Sequence, residues 1–415
     1  MVDLSNVLSI DPTLEAADAA YQERENANEP RSYLGMSGIG HECLRKGWYD
    51  FRWASASSFD AETLYRFDDG HRSEDIMADR LRLVADIKLE TVDQYTGEQF
   101  GFKDLGGHFS GHADGKIAGL LQAPKTQHIW EHKATNEKKQ AKLEKLKREL
   151  GEKAALAAWD EIYYVQAQLY MHYSGLKRHY LTCASPGTRT TISVRTNYDK
   201  SVAEQQISNA RTIIAAAIPP AKLSDDPSFY KCGWCNHKGI CHYSHIPQPS
   251  CRTCIHSTPE PDGDGRWTCA EFGCDIDKET MLKSMNPERP CPHHRFIPQL
   301  IAGFDVMDAG PDGVLYENHD GLTVINGSAG LSSMEMYHVG ASKRLAEATG
   351  IKKPSADSGP ASWQVTSEPD NPHKEDLLSV PTVDTSNEIG SATAAVSAPA
   401  WQTAVGNAKA SPTGK

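Results

Sequence analysis

The sequence predicts an α/β protein in which a central mixed sheet is flanked by helices. Helical apolar patterns occur in 60–84, in 137–160, around 164–171, and from about 201 to a proline pair at 219–220. Between them, Gly-rich turns and alternating apolar residues predict strands within 100–135 and a pair of strands at 179–185 and 190–196. Helical and extended patterns therefore alternate through the middle of the chain.

Composition divides the 415 residues into five segments. We expect an acidic, weakly ordered leader at 1–30, a main body at 31–245, a cysteine-rich segment at 246–298, a small hairpin–helix module at 299–350 and a tail at 351–415. The hairpin is predicted over 314–326, with its turn near Asp320-Gly321. The tail is rich in Ser, Pro, Ala and Thr, which predicts disorder.

The net charge of −12 is concentrated outside the body. The leader carries −6, residues 299–350 carry −5 and the tail carries −2, so 31–298 is close to neutral at +1. This distribution permits binding to DNA without requiring it. The chain has no apolar run of membrane-spanning length and no recognisable secretory signal, so we expect a cytoplasmic protein without a membrane partner.

Two acids and a lysine in the predicted strands suggest a metal site. Asp114 lies at a Gly-rich turn, and Glu131 and Lys133 are one residue apart, so their side chains share a strand face. Carboxylates are ligands that Mg2+ prefers, and a neighbouring ammonium can orient a water or contact a phosphate. An E-x-K pair alone is more often a surface ion pair, and the acid seventeen residues earlier reverses those odds.

The order of these residues resembles the PD-(D/E)xK nuclease superfamily in its RecB-like branch. Its motifs match Asp114, the E-x-K of Glu131 and Lys133, and a Q-x-x-x-Y helix at Gln166 and Tyr170. The resemblance implies a restriction-endonuclease-like core, a Mg2+ or Mn2+ cofactor, a glutamine near the site and a tyrosine near DNA.

The early motif of the same superfamily is G-x-x-x-H or G-x-x-x-E. Gly70 to Glu74 fits the second form, which makes Glu74 a further expected metal ligand, with His71 as its competitor. The proline of the family name is absent, because Ala113 stands before Asp114. The resemblance covers about residues 35–245.

Ten cysteines in spaced groups in a cytoplasmic chain indicate metal sites rather than disulfides. A lone early cysteine followed by C-x2-C-x5-C resembles the iron–sulfur nucleases of the RecB-like branch. The resemblance implies a [4Fe-4S] cluster that ties the ends of the domain together, held by Cys43, Cys232, Cys235 and Cys241. The alternative is Zn2+, with His237 or His242 replacing Cys43.

A second set of cysteines predicts a zinc-ribbon-like module. The preferred Zn2+ ligands are Cys251, Cys254, Cys269 and Cys291, with Cys274 and His294 as alternates. Four-sulfur zinc sites are normally structural, so we assign this set to folding rather than to chemistry. Cys183 is expected to lie in the core.

The predicted helical stretch after Lys133 is basic, with a net charge of +3 between 137 and 153. Because it follows the E-x-K strand, we expect Lys138, Lys142 and Lys145 to contact the DNA backbone, although a solvated helix face would have the same pattern.

Together these features predict a Mg2+-dependent DNA nuclease, specifically an exonuclease for recombination or end processing, similar to tailed-phage recombination exonucleases. The alternatives are a structure-specific endonuclease, a non-catalytic nucleic-acid-binding metalloprotein, and a zinc-organised adaptor. A recombinase or single-strand-binding protein is an expected partner of the tail.

Overall fold

A five-stranded mixed sheet forms the centre of the protein. The computed structural model describes residues 11–27, 29–55, 58–340 and Leu345. The sheet has the order β2-β5-β6-β7-β8, formed by Lys88–Glu90, Gly115–Ala118, His128–Ala134, Arg178–Ala184 and Thr191–Asn197. β6 and β7 are parallel and the other neighbouring pairs are antiparallel. The predicted mixed α/β architecture is confirmed.

A smaller sheet adjoins the central one and has the order β1-β4-β3, formed by Leu34–Gly35, Phe109–Ala113 and Phe100–Asp104. β4 and β5 follow one another with a single residue, Asp114, between them. The chain therefore passes from one sheet to the other at Asp114, and this junction fixes where its carboxylate lies.

Helices cover the two sheets. Those of the body are α1 Pro12–Asn26, α2 Leu44–Phe51, α3 Ala61–Arg82, α4 Glu137–Leu150, α5 Glu152–Trp159, α6 Glu161–Ser174, α7 Lys200–Ala215, α8 Tyr230–Gly233 and α9 Lys238–Tyr243. Aspartate or asparagine caps several of them. For example, the side chain of Asp160 accepts a hydrogen bond from the Tyr163 backbone N–H at the start of α6. The single helical pattern expected at 137–160 is two helices, because Gly151 has a φ of 81° and interrupts it.

The cysteine-rich segment forms a three-stranded antiparallel sheet and a short helix. The strands are β9 Ser257–Pro259, β10 Trp267–Cys269 and β11 Cys274–Ile276, and the helix is α10 Lys278–Lys283. Trp267 and Ile276 belong to the same hydrophobic cluster as Phe51 and Leu181 of the body. The segment therefore shares a core with the body.

Over residues 299–340, the module contains the strands β12 Phe304–Gly310, β13 Gly313–Asn318 and β14 Thr323–Asn326 and the helix α11 Ser333–Val339. The expected hairpin is present as β13 and β14, and Gly321 adopts a φ of 75° in the connection. β12 was not predicted. It pairs with β13, and Phe304 and Val306 pack on a separate apolar cluster centred on Tyr316 and Phe296.

The expectation of a weakly ordered leader is wrong for residues 12–26, which form helix α1. This helix buries no side chain. It lies on α3 through a stack of Tyr21 on Tyr65, with ring centroids 4.7 Å apart, and a 2.6 Å hydrogen bond from the Tyr21 hydroxyl to Asp68.

Residues 1–10 of the leader and the tail 351–415 lie outside the described residues. Within the described part of the chain, none of the helices combines the length and apolar character needed to span a bilayer.

The turn at Gly119 provides a test of how the edge strand β2 is held. Gly119 has a φ of 80°, and a Cβ there would collide with the backbone carbonyl of Asp86. Gly97 has a similar φ of 73° and nothing within 4 Å of such a Cβ. We expect Gly97→Ala to cost about 1–2 kcal/mol for backbone conformation alone. Gly119→Ala should cost about 1–3 kcal/mol more through overpacking. Urea unfolding would measure both, and equal losses would contradict the collision.

Candidate functional site

The predicted acids meet at the centre of the large sheet. Glu131 and Lys133 lie on one face of β6 because side chains two residues apart on a strand point the same way. The His132 backbone N–H donates to Asp114 Oδ2 at 2.8 Å, and the Asp114 N–H donates to Glu131 Oε1 at 3.3 Å. These two hydrogen bonds join the sheet junction to the middle of β6 and hold the two carboxylates next to each other.

Helix α6 supplies a buried amide to the same carboxylate. Gln166 Nε2 donates to Glu131 Oε2 at 3.1 Å and to the Tyr170 hydroxyl at 3.2 Å. Lys133 Nζ donates to the same Glu131 oxygen at 2.9 Å. Glu131 is only 1% exposed, so its charge depends on these donors and on whatever else occupies the site.

Helix α3 brings Glu74 into the electrostatic range of this group. Burial, and then repulsion from Asp114, raises the pKa of Glu74 to about 7. Burial also raises the pKa of Asp114, and burial followed by repulsion from Asp114 raises that of Glu131. Burial opposes the charge of Lys133, but attraction by Glu131 and Asp114 raises its pKa above the ordinary value. Three carboxyl groups thus lie within electrostatic range of one ammonium, so full ionisation of all three would leave an excess of negative charge.

Two residues of the early motif, His71 and Glu74, lie near the acids and are candidate metal ligands. His71 is exposed on α3 but close enough to Asp114 to lower the pKa of that carboxyl slightly, against the larger effect of burial. Glu74 interacts with both Asp114 and Lys133.

Tyr170 is buried beside Gln166. Its side chain is 2% exposed, and its ring packs near Phe102 with centroids 5.6 Å apart. Its hydroxyl accepts a hydrogen bond from Gln166 Nε2 and so orients that amide. The contact between Tyr170 and DNA stays a prediction.

Two further contacts at the site were not predicted. His132, on the opposite face of β6 from Glu131, hydrogen-bonds Ser73 Oγ at 2.9 Å and Thr182 Oγ1 at 3.0 Å, which ties α3 and β7 to the strand. Lys133 Nζ lies 5.3 Å from the centre of the Tyr163 ring, a cation–π contact on α6. The alternation of side chains along a strand is enough to place His132 on the face of β6 opposite Glu131. Its hydrogen-bond partners belong to elements that are distant in the sequence, so the contacts themselves do not follow from that alternation.

The three lysines expected to bind DNA have different environments. Lys138 is exposed at the start of α4. Lys145 pairs with Glu149 at 3.8 Å, and Lys142 Nζ donates to the Trp159 carbonyl at 3.5 Å. Such surface contacts are weak, and a phosphate could replace them.

The first cysteine set comes together from distant parts of the chain. Cys43, Cys232, Cys235 and Cys241 line one cavity of about 30 Å³. Cys43 is the N-cap residue of α2. Burial raises the pKa of Cys235 and Cys241, and the Cys43 thiol adds to both increases. Arg45, Lys46, Lys231 and Lys238 line the same cavity.

His237 and His242 both line this cavity. The Nε2 of His237 bonds Asp50 Oδ1 at 2.8 Å and its Nδ1 bonds Ser55 Oγ at 3.0 Å. Because both ring nitrogens of His237 are engaged, His242 is the better placed of the two to replace Cys43 as a ligand.

The second cysteine set also comes together. Burial, and then the thiols of Cys291 and Cys269, raise the pKa of Cys251, and the buried Cys254 is close enough to be affected by Cys291 and Cys251. Each of the four preferred ligands is therefore within electrostatic range of at least one other. Of the alternates, Cys274 faces Cys269 across β10 and β11 and is exposed. His294 is buried, with its Nε2 bonded to the Ser250 carbonyl at 3.0 Å and its Nδ1 without a partner among the described residues.

Nearness of these side chains does not by itself form a metal-coordination site. As the side chains stand, no three His, Cys, Asp or Glu residues in the described part of the chain are arranged to hold a metal ion. The donor chemistry nevertheless fits metals in all three places: oxygens with excess negative charge at the acid site, and four thiols at each cysteine set.

Comparisons with known proteins give only distant likenesses. No protein-family profile and no curated protein matches the chain. Among solved structures, SSO0001 is 12% identical with a TM-score of 0.33, covering 56% of this chain and 96% of its own. An alkaline exonuclease from Laribacter hongkongensis is 14% identical with a TM-score of 0.30, covering 48% and 91%. A phage-related exonuclease from Haemophilus somnus is 13% identical with a TM-score of 0.25, covering 41% and 78%. Scores this low do not establish the fold family or the activity of this chain.

The charge excess at the acid site predicts a pH dependence of stability without metal. Raised carboxyl pKa values mean that the folded protein holds more protons than the unfolded chain from about pH 4.5 up to about 7 at Glu74 and about 8 at Glu131. The free energy of unfolding should therefore fall as pH rises through this window, by at most about 1.4 kcal/mol per pH unit for each retained proton. Urea unfolding in a chelator at several pH values would measure the slope. Glu131→Gln should flatten it, whereas Glu62→Gln, an exposed site on α3, should not. A free energy of unfolding of the parent protein that rises with pH in this window would contradict the raised pKa values of these carboxyls.

Proposed function

We propose that this protein is a metal-dependent nuclease that hydrolyses phosphodiester bonds in DNA. The observation that carries the proposal is the hydrogen-bonded placement of Asp114 and Glu131 beside Lys133 at the junction of two sheets, with Glu74 of α3 within electrostatic range. Ionising these buried carboxyls is unfavourable unless a cation joins them, and without one Glu74 and Glu131 retain protons well above the ordinary pKa of a carboxyl. The carboxylates hold that position at a considerable electrostatic cost, which supports a binding role rather than a structural one.

The expected ligands of Mg2+ or Mn2+ are Glu74, Asp114 and Glu131. Bound there, the cation would supply Lewis acidity and a water of lowered pKa. The Glu131 oxygens already accept hydrogen bonds from Asp114 N–H, Lys133 and Gln166. Each carboxylate oxygen can accept more than one partner, so these donors orient Glu131 and still leave it able to bind metal.

Lys133 and Gln166 would act on the nucleophile and the phosphate. In the metal-free site, Glu131 and Asp114 keep Lys133 protonated. An ammonium donates hydrogen bonds to a phosphate oxygen or to the attacking water, and we assign this role to Lys133. Gln166, held by Tyr170, keeps Glu131 in place. Tyr170 is thus a positioning residue in this proposal.

The finer assignment follows from the motif resemblance. We infer a restriction-endonuclease-like core and an exonuclease that works in recombination or end processing. Lys138 is the exposed contact for the DNA backbone, with Lys142 and Lys145 released from their present partners. The tail is the expected site for a recombinase or a single-strand-binding protein.

We further propose metals for both cysteine sets. The first set would hold a [4Fe-4S] cluster, which joins α2 to the end of the body, and four basic side chains around the cavity suit an anionic centre. The present space is small, so the thiols would have to spread. A single Zn2+ needs less room and is the alternative. The second set would hold Zn2+ in a zinc-ribbon-like module.

Nuclease variants test the acid site. Asp114→Ala and Lys133→Ala should each lower cleavage by about 100-fold or more, because they remove a metal ligand and the charge next to the nucleophile. The double variant should lose little beyond the worse single one, since both act on one step. Asp79→Asn on the exposed face of α3 is the control. The assay compares end-labelled linear DNA with a closed circle in Mg2+.

The same assay separates the alternatives. Cleavage of the linear substrate alone supports an exonuclease, and cleavage of the circle indicates an endonuclease. DNA binding with no cleavage by the parent protein would favour a non-catalytic binder, and neither binding nor cleavage would favour a zinc-organised adaptor.

Metal analysis tests the first cysteine set. Protein purified without oxygen should contain iron and acid-labile sulfide, and Cys43→Ser should lose both while retaining zinc. Cys183→Ala removes a buried thiol from β7, away from both sets, and should keep all metals. A colourless parent with two zinc ions and no iron would decide for zinc at the first set.

A further inference from the structure

Two arginine side chains are buried where the cysteine-rich segment meets the body. Arg52 follows α2 and is 3% exposed, and Arg252 belongs to the cysteine-rich segment and is 1% exposed. Among the described residues, neither forms an ion pair with an aspartate or glutamate, although arginine stays protonated in proteins. Two full positive charges are therefore buried without a carboxylate.

The hydrogen bonds of these side chains go to neutral groups. Arg252 donates to the backbone carbonyls of Phe51 at 2.8 Å and Ser32 at 2.7 Å. Arg52 reaches the carbonyls of Arg252 at 3.3 Å and Ser257 at 3.4 Å, and its buried Nε has no partner. Carbonyl oxygens solvate a guanidinium but carry no charge to neutralise it.

Aromatic rings offset part of this cost. The indole of Trp267 receives both guanidiniums, with Arg52 Cζ at 5.1 Å and Arg252 Cζ at 4.7 Å from its centre. Arg252 Cζ also lies 4.0 Å from the Trp53 ring. Each such contact contributes up to about 2 kcal/mol when desolvated, less than the cost of a buried unpaired charge.

The acidic groups within electrostatic range of the two arginines are thiols. Ionised Cys254 would attract Arg52, and ionised Cys251 would attract Arg252. Arg252 is the residue after Cys251, and Trp267 lies two residues before Cys269. Arg52 Nη1 donates to the carbonyl of Arg252, the residue after Cys251, so this guanidinium lies beside the backbone of the second cysteine set.

The net charge of the second cysteine set differs between its possible metal-bound and metal-free states. Four thiolates with one Zn2+ carry −2, three thiolates with a histidine carry −1, and protonated thiols or disulfides carry none. We propose that Arg52 and Arg252 are the counter-ions of a tetrathiolate zinc centre at Cys251, Cys254, Cys269 and Cys291. This inference rests on the metal proposed for the second set and not on nuclease activity.

The arrangement also links the metal to the docking of the segment. Arg52 comes from the body, and Arg252 donates back to the body at Phe51 and Ser32. Loss of the dianion would leave two unneutralised charges at this contact. Zinc loading and docking of the cysteine-rich segment on the body should therefore be a single event.

Zinc competition on the full-length protein tests the proposal. We expect Arg52→Met and Arg252→Met to weaken zinc binding about 10–100-fold each against a chromophoric chelator, as for other groups that support metal ligands. Arg52→Lys retains the charge and should stay within a few-fold of the parent. Arg266→Met is the matched control, because this arginine of the same segment is more exposed and pairs with Asp262 and Asp275.

Hydrogen exchange of the parent protein is a second measurement that needs no variant. Zinc removal should expose amides both in 251–297 and at the facing residues 32 and 51–53. Zinc affinity unchanged in both methionine variants would overturn the counter-ion role while leaving the metal in place. A parent that binds no zinc at the second set would overturn the metal assignment itself. Either result leaves the cleavage assay at the acid site as an independent question.

Discussion

The cost of burying unbalanced charge shapes two of the three places in this protein that we associate with metals. Inside a medium of low dielectric, a charge needs a partner of opposite sign or the loss in solvation is not recovered. At the sheet junction the acidic groups are in excess, since Glu74, Asp114 and Glu131 lie within electrostatic range of one lysine. At the boundary with the cysteine-rich segment the excess is positive, since Arg52 and Arg252 are buried and pair with no carboxylate in the part of the chain that the structure describes. Each imbalance specifies the charge of the group that would complete it.

The large sheet makes the acid site rigid. β6 is buried on both faces through its first five residues, so neither Glu131 nor its neighbours can move independently of the sheet. The passage from β4 to β5 places Asp114 against the His132 backbone. A site built on strands and a sheet junction is better defined than one on loops, and small displacements matter greatly for chemistry on a phosphate.

The cysteine-rich segment is integral to the body rather than a separate appendage. Trp267 lies in the main core, and the Gly265 N–H donates to the Gly106 carbonyl at 2.7 Å. A Cβ at Gly106 or Gly107 would meet the backbone around Pro261 or Gly265, so two glycines allow this close approach. Metal binding at the second cysteine set would therefore stabilise the body as well as the segment.

The sequence by itself determined several elements and the chemically important residue types. Periodicity located α3, α6, α7 and the β7–β8 pair, since each has a strong local pattern. Motif order selected Asp114, Glu131, Lys133 and Gln166, which the structure brings together, and Cys43 was matched with cysteines nearly 190 residues away.

The tertiary structure alone decided burial, partners and junctions. It placed Tyr170 in the core beside Gln166, broke the basic helix at Gly151, and turned residues 12–26 into a helix lying on α3. It also revealed the Arg52–Trp267–Arg252 stack, whose members are far apart in the chain. Such features depend on contacts between side chains that are far apart in the sequence. A single sequence shows local conformational preferences but does not show which distant residues come into contact.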